Sequence, residues 1–449
     1  MSQTRLVRLD QIVDGTGATV EVQLDADGSV LAARFVLDGM PRIEPLLVGR
    51  PVANVPGIVE RLCGICPTSH HLAGIRALEA LTGAPRLTTT AALMRRLLHH
   101  GSVLRTHAQA LTPVDATRAR DLGAFALQVQ AAAGADSHFP RCAVLGGVLA
   151  PLLVERRDEL AGQVASAVAS ACWVLGRIER RACPGTAPYQ GHDLALVDRH
   201  GALDLYGDRL RAVAADGTVT VDGATPEDWV ELVAEASPGS AAPRPHLRAL
   251  GPGPGSYRVG PVAQLRASTQ LSTPLAEEAR QRWTTGRGGT TWARAVVAVH
   301  AVEVIGGLLS RPELVAGPVL SRGDTPDPAT RREGSGWVDG ARGLLVHTYR
   351  TEGGGILSDA TITTPTAQNE TWLADLLHDA LESCHPDRPA SVPSGAIQVR
   401  LEAAIRAADP CLPCTSSAPG LMQVRLQLQP PREAAVARGP LADAAVPER

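Results

Sequence analysis

The chain has 449 residues, of which 44% are hydrophobic and 20% are charged, and its net charge is −3. This composition is that of an ordinary globular protein, and it excludes a disordered or a collagen-like chain. The small negative charge and the lack of a long basic stripe argue against nucleic acid as a partner. We find no apolar stretch typical of an export signal and predict no membrane span, so the expected location is the cytoplasm.

The first predicted element is a β-hairpin over residues 19–38, where apolar and polar residues alternate on both sides of a turn at residues 25–28. End signals, apolar residues at helical spacing and long apolar stretches predict the helices that follow. These helices cover residues 69–82, 89–111, 155–181, 292–309 and 370–383. The pattern predicts a mainly α protein with small peripheral β-sheets (an α+β class), built as one large core round a bundle of long helices.

The remaining segments are predicted to be peripheral. Residues 200–235 form a hairpin region, and residues 344–363 read as strands round a run of glycines. Residues 237–260 are rich in Pro and Gly, which indicates a loop. The tail over residues 430–449 shows little periodicity and is predicted to have no fixed structure.

Two Cys-x-x-Cys pairs, Cys63–Cys66 and Cys411–Cys414, are separated by 345 residues. Thiolates spaced by two residues can face one ion, and four of them form a soft site for zinc, nickel or iron. The first pair precedes a predicted helix, whose N-terminal dipole favours thiolates. Spacing alone leaves a structural zinc site or two redox pairs open, although zinc ribbons usually have their pairs within tens of residues of each other.

Both pairs lie in longer motifs that resemble the metal-binding signatures of nickel–iron hydrogenase large subunits. Residues 61–70 (RLCGICPTSH) resemble the first signature and residues 409–414 (DPCLPC) the second. Residues 340–347 (GARGLLVH) are similar to the Pro-Arg-Gly…His segment of that family, and residues 365–369 (PTAQN) to a Thr-rich segment near its metals. Residues 252–260 resemble the cytoplasmic, NAD-linked branch.

The resemblance implies a nickel–iron centre that carries carbon monoxide and cyanide on the iron. By motif position, Cys63 and Cys411 would be terminal nickel ligands, whereas Cys66 and Cys414 would bridge nickel and iron. Thiolates bridge well between two soft metals, which agrees with this arrangement. Dihydrogen would be cleaved heterolytically, and the Cys411 thiolate would take up a proton.

The same resemblance implies roles for four residues beside the cysteines. Arg342 would lie over the metals as a positioned charge and would pair with Asp409. Thr366 would donate a hydrogen bond to a cyanide, and His70 would hydrogen-bond the bridging sulfur one helical turn away. Considered alone, such an arginine is more typical of a surface ion pair, and such a histidine of a satisfied core residue.

The sequence departs from the family at three positions. Asp14 stands where the family has a proton-relaying Glu, and its shorter side chain would relay slowly or through a water. Ala341 replaces the Pro before the arginine. Ser417 replaces a His that binds a structural magnesium and marks the cleavage point, although Glu44 still matches the carboxylate ligand of that ion.

Residues 1–417 are therefore expected to form a hydrogenase catalytic domain. The family implies that it passes electrons from H2 to a small subunit with Fe–S clusters, and from there to flavin and NAD diaphorase subunits. Residues 418–449 are an extension that a maturation endopeptidase would remove, unless the tail stays on. The departures at Asp14 and Ser417 also fit a sensory subunit or one with low turnover. The other interpretations are a metal-free structural paralogue and a plain zinc protein, and the presence of all four cysteines argues against the paralogue.

Overall fold

The structure is a computed structural model of this chain. It describes residues 17–24, 29–36, 44–135, 138–180, 189–240, 243–285, 289–321, 332–382, 395–412, 415 and 420–429. These residues form twelve α-helices and fourteen β-strands, and the strands lie in five small sheets. The predicted α+β class is confirmed.

The α-helices range from four to 26 residues in length. They are α1 (Val55–Val59), α2 (Pro67–Thr82), α3 (Thr89–Leu111), α4 (Ala116–Ala132), α5 (Val154–Glu179), α6 (Trp229–Leu232), α7 (Pro261–Ala267), α8 (Pro274–Thr285), α9 (Thr290–Leu309), α10 (Pro365–Gln368), α11 (Glu370–Glu382) and α12 (Gly395–Ala408). The five predicted helices correspond to α2, α3, α5, α9 and α11 within two residues at each described end. The other helices were not predicted.

The strands are mostly short and pair locally. They are β1 (Gly17–Leu24), β2 (Val30–Phe35), β3 (Ala143–Val144), β4 (Gly147–Val148), β5 (His192–Val197), β6 (Arg209–Val213), β7 (Val219–Ala224), β8 (Val233–Glu235), β9 (Pro245–Leu247), β10 (Tyr257–Arg258), β11 (Glu333–Gly340), β12 (Gly343–Thr351), β13 (Leu357–Thr363) and β14 (Gln423–Gln429). The larger sheets have the orders β14-β1-β2, β10-β5-β6-β7 and β11-β12-β13.

The predicted hairpins are present. β1 pairs antiparallel with β2, although the turn at residues 25–28 lies outside the described residues. In the peripheral region β6 pairs with β7 across a turn in which Gly217 has a φ of +90°. The predicted loop over residues 237–260 also contains the short strands β9 and β10. The predicted unstructured tail, residues 430–449, lies outside the described residues.

A bundle of long helices carries the main core. α3 packs against α4 and α9, and α5 packs against the same two helices. The largest hydrophobic cluster extends from α2 through this bundle to the sheet β11-β12-β13, and two smaller clusters lie under the other sheets. In the described part of the chain, only α9 is long and apolar enough to cross a membrane. Because 72% of its apolar window is buried in the protein, it has the character of a central bundle helix.

Helix α2 brings the first cysteine pair to the sheet. Cys66 is its N-cap residue, Pro67 is its first helical residue, and Gly83 ends it with a φ of +64°. The helix lies so close to β11 that a Cβ atom on Gly336 would collide with the backbone of Ala77. Glycine in the strand therefore sets the distance between α2 and the sheet.

Candidate metal centre

Three of the four predicted cysteine ligands converge, and the fourth, Cys414, lies outside the described residues. Cys63 Sγ lies 3.0 Å from Cys66 Sγ and 3.2 Å from Cys411 Sγ. The sulfurs of Cys66 and Cys411 are 3.6 Å apart. All three are free cysteines. Thiolates this close repel one another, so the fully deprotonated set requires a shared cation.

The first pair owes its geometry to the start of α2. The backbone N–H groups of Ile65 and Cys66 both point to Cys63 Sγ at 3.4 Å. N–H groups at a helix N-terminus stabilise negative charge, so this turn favours a thiolate.

The second motif is placed by the end of α12. Asp409 follows the helix with a φ of +49°, a left-handed conformation that Asp tolerates better than most residues. The next cysteine, Cys411, donates its backbone N–H to Thr366 Oγ1 at 2.8 Å. A threonine hydroxyl that accepts a bond still has its own proton to donate, so the predicted donor role of Thr366 stays available.

The three thiols share their protons. Hydrogen bonds from Cys411 and then Cys66 lower the pKa of Cys63. Its hydrogen bond with Cys411 raises the pKa of Cys66, and burial adds to this. The pKa of Cys411 is raised to about 12, chiefly by its hydrogen bond with Cys63. One sulfur is thus held as a thiolate by two thiols, and a bound metal would displace the remaining protons.

A buried ion cluster lies beside the sulfurs. Arg342, in the turn between β11 and β12, places Nε 3.3 Å from Asp409 Oδ1, and Arg294 on α9 places Nη2 3.1 Å from Oδ2. Burial opposes the charge of Asp409, but the guanidinium groups of Arg342 and Arg294 hold its pKa below the ordinary value. Burial likewise opposes the charge of Arg342, whereas the negative charge of Asp409 and the sulfur of Cys411 raise its pKa. The predicted pair of Arg342 and Asp409 is present.

Arg294 was not predicted as a member of this cluster. The sequence feature that could have predicted it is a lone arginine within a strongly apolar helix. A cation buried in this way needs a buried anion as its partner.

His70 lies next to the sulfurs on α2. Its ring nitrogen and the sulfurs of Cys63 and Cys66 all lie within 4.8 Å of one another, the one such group in the part of the chain that the structure describes. The prediction names the sulfur of Cys66 as its partner, and His70 also helps to lower the pKa of Cys63. Its Nδ1 lies 3.0 Å from His347 Nε2, a partner that was not predicted.

These residues face one cavity of about 380 Å³. Its lining includes Cys63, Cys66, His70, Arg342, Thr366, Cys411 and Glu44, the predicted magnesium ligand. Two other predicted site residues, Asp14 and Ser417, lie outside the described residues.

The donor set fits a soft transition metal that keeps a position open for substrate. Sulfur ligands of this kind suit nickel, iron or zinc. A structural zinc site is closed by its four ligands, whereas these sulfurs border a cavity that also contains the buried Arg342. The site therefore has the character of a catalytic centre.

Comparison with known proteins agrees with this geometry. Residues 42–111 match the protein family described as Nickel-dependent hydrogenase. The chain is 30% identical to the NAD-reducing hydrogenase HoxS subunit beta of Cupriavidus necator, over 91% of this chain and 94% of that protein. It is 28% identical to a subunit of the F420-non-reducing hydrogenase vhu of Methanococcus voltae, over 82% and 96%. The crystal structure of an NAD⁺-reducing NiFe-hydrogenase in the H2-reduced state superposes with a TM-score of 0.78 and 30% identity, over 88% and 95%. This chain therefore belongs to the family of nickel-dependent hydrogenases.

Proposed function

We propose that this chain is the catalytic subunit of a nickel–iron hydrogenase, which splits H2 reversibly into two protons and two electrons. The observation that carries the proposal is the convergence of Cys63, Cys66 and Cys411 on a cavity that Arg342 also lines. The similarity over nearly the full length of an NAD-reducing hydrogenase subunit supports it.

When bound, the nickel–iron centre would supply the Lewis acidity and the redox capacity that polarise and oxidise H2. Cys63, Cys66, Cys411 and Cys414 would hold this centre through their sulfurs. The proposal includes carbon monoxide and cyanide on the iron, which the resemblance of the cysteine motifs implies, and Thr366 has a hydroxyl proton to donate to a cyanide.

The residues of this chain would then handle the charge and the protons. Cys411 Sγ would take up one proton from H2 and pass it on to a partner group. Arg342 would present a buried positive charge to the cavity, fixed in orientation by Asp409. Asp14 would relay the proton away from the centre.

Electrons would leave through a partner protein. The described residues contain a single cluster of metal-ligating side chains, and it belongs to the hydrogen-splitting site. The proposed electron acceptor is an Fe–S small subunit, with flavin and NAD diaphorase subunits beyond it, in the cytoplasm. Glu44 would bind a magnesium ion, and a maturation endopeptidase would remove residues 418–449, including strand β14.

The test is metal analysis of the complex purified after co-expression with maturation proteins and the small subunit. We expect about one nickel per chain and hydrogen uptake by the wild type. Cys411→Ser should lose both, since serine is a poor ligand for a soft metal. Cys142→Ser is the matched control, because Cys142 is a free, buried cysteine outside the site. Zinc in place of nickel in the wild type would contradict the proposal.

A further inference from the structure

We propose that His347 and Tyr349 act as positioning residues that fix the tautomer of His70. They make His70 a hydrogen-bond donor to the cysteine sulfurs and keep it from becoming a metal ligand. The inference rests on the proposed function, because it concerns the same metal centre.

The three side chains form a continuous chain of hydrogen bonds inside the protein. His70 Nδ1 lies 3.0 Å from His347 Nε2, and His347 Nδ1 lies 2.5 Å from the hydroxyl of Tyr349. His347 and Tyr349 are fully buried and His70 is 4% exposed. The two residues of β12 are two positions apart, so they lie on the same face of the strand, the face that meets α2.

The Tyr349 phenol determines which group donates each of these hydrogen bonds. Burial raises the pKa of Tyr349 well above its ordinary value, so the phenol keeps its proton at neutral pH. If His347 Nδ1 were the donor, the phenol hydrogen would point into the core without an acceptor, which is costly for a buried group. The Tyr349 hydroxyl therefore donates to His347 Nδ1.

Each of the two histidines then has a single possible tautomer. Burial lowers the pKa of His347 well below its ordinary value, so the ring is neutral and its single proton sits on Nε2. That N–H donates to His70 Nδ1, and His70 must carry its own proton on Nε2. Since Nδ1 is engaged by His347, Nε2 is the nitrogen free to donate to the sulfurs of Cys63 and Cys66, which lie within 4.8 Å of a ring nitrogen of His70.

The tautomer of His70 determines whether the ring hydrogen-bonds a thiolate or binds the metal. An imidazole N–H beside a thiolate donates a hydrogen bond and draws electron density from the sulfur, whereas an imidazole lone pair would bind the metal itself. Without Tyr349, His347 could adopt either tautomer, and so could His70. The Tyr349 hydroxyl therefore determines whether His70 presents an N–H group or a nitrogen lone pair to the metal centre.

The packing of α2 makes room for this contact. A Cβ atom on Gly74 would lie 3.1 Å from the Tyr349 hydroxyl, 3.5 Å from His347 Nδ1 and 2.9 Å from Val59. Glycine at this helix position leaves space for the phenol and the imidazole to meet under α2.

The experiment compares Tyr349→Phe with Tyr257→Phe in the complete hydrogenase complex. Tyr257 is the matched control, because it is equally buried and its hydroxyl has no hydrogen-bond partner in the described structure. The readouts are nickel per chain, the infrared stretches of the diatomic ligands on iron and the nickel electron paramagnetic resonance spectrum. We expect Tyr349→Phe to retain nickel but to shift both spectra, with activity falling on the order of 10-fold. Tyr257→Phe should match the wild type.

A second pair of variants decides the matter if Tyr349→Phe yields no complex. In His347→Gln the amide can accept from the phenol and donate to His70, so it should restore the wild-type spectra, whereas His347→Leu should not. Identical spectra for Gln and Leu, or for Tyr349→Phe and the wild type, would overturn this inference while the nickel site stands. A wild-type complex without nickel would overturn the proposed function and this inference with it.

Discussion

Different interactions hold the two sides of the candidate metal centre in place. Cys63 and Cys66 stand at the start of α2, an almost wholly buried helix that is closely packed on β11 and β12. Cys411 stands in an irregular segment after α12, where single polar contacts to Thr366 and through Asp409 determine its position. Packing places the first side and hydrogen bonds place the second. We therefore expect the two sides to fail in different ways.

The largest effect should come from Asp409→Asn on the second side. The substitution leaves the buried guanidinium groups of Arg294 and Arg342 without their shared carboxylate. Breaking a buried ion pair by removing one partner costs about 3–5 kcal/mol. Urea denaturation of the complex checks this, with Glu313→Gln as the control because its partner Arg311 is exposed. Equal stability of the two variants would show that Asp409 does not hold this segment.

Acid should weaken the first side through His71 on α2. Burial lowers the pKa of His71 to about 4, whereas an unfolded histidine titrates near 6.5. The unfolded chain therefore binds a proton first, and stability decreases as the pH falls from 6.5 to 4, by about 3 kcal/mol for this group.

In His71→Gln the amide oxygen can still accept from the Ala143 backbone N–H, as His71 Nε2 does. Denaturation curves between pH 7 and 4 should show a smaller acid loss for this variant than for the wild type. His200→Gln, at an exposed histidine, should match the wild type. If His71→Gln loses as much stability in acid as the wild type, His71 is not a neutral core residue.

Gly336→Ala should disturb the packing between α2 and β11. The added methyl group meets the backbone of Arg76 and Ala77, which cannot turn aside as a side chain can. Overpacking of this kind costs about 1–3 kcal/mol, and the shift of α2 should also lower nickel content. Gly162→Ala on α5 is the control: nothing lies within 4 Å of its added Cβ, and the helix should gain about 0.5–1 kcal/mol. Thermal unfolding and metal analysis measure both effects, and a fully stable Gly336→Ala would contradict the close approach.

Thr366→Val should have the smallest effect on stability and a clear effect on the metal. The variant leaves the Cys411 N–H without its acceptor, which costs about 1–2 kcal/mol. Loss of a partner that positions a metal ligand weakens metal binding by about 10–100-fold. Nickel release to a chelator measures this, and Thr366→Ser should behave as the wild type. A serine variant that loses nickel as fast as valine would show that the methyl group, and not the hydroxyl, matters.

The sequence by itself determined the elements that depend on local chemistry. The end of α2 follows from Gly83, the apolar periodicity identifies α3, and the strongly apolar composition identifies α9. The two cysteine motifs carried the resemblance to the family, because the residue types that bind soft metals are few and their spacing is short.

Only the tertiary structure decided which distant side chains meet. Arg294 reaches Asp409, His347 and Tyr349 extend His70, and β14 pairs with β1 in parallel although most of the chain lies between them. None of these contacts can be predicted from periodicity. The local pattern of each segment predicts its own helix or strand and carries no information about a distant partner. They arise because a buried charge or N–H group must find a partner wherever the packing brings one, and that is a property of the whole fold.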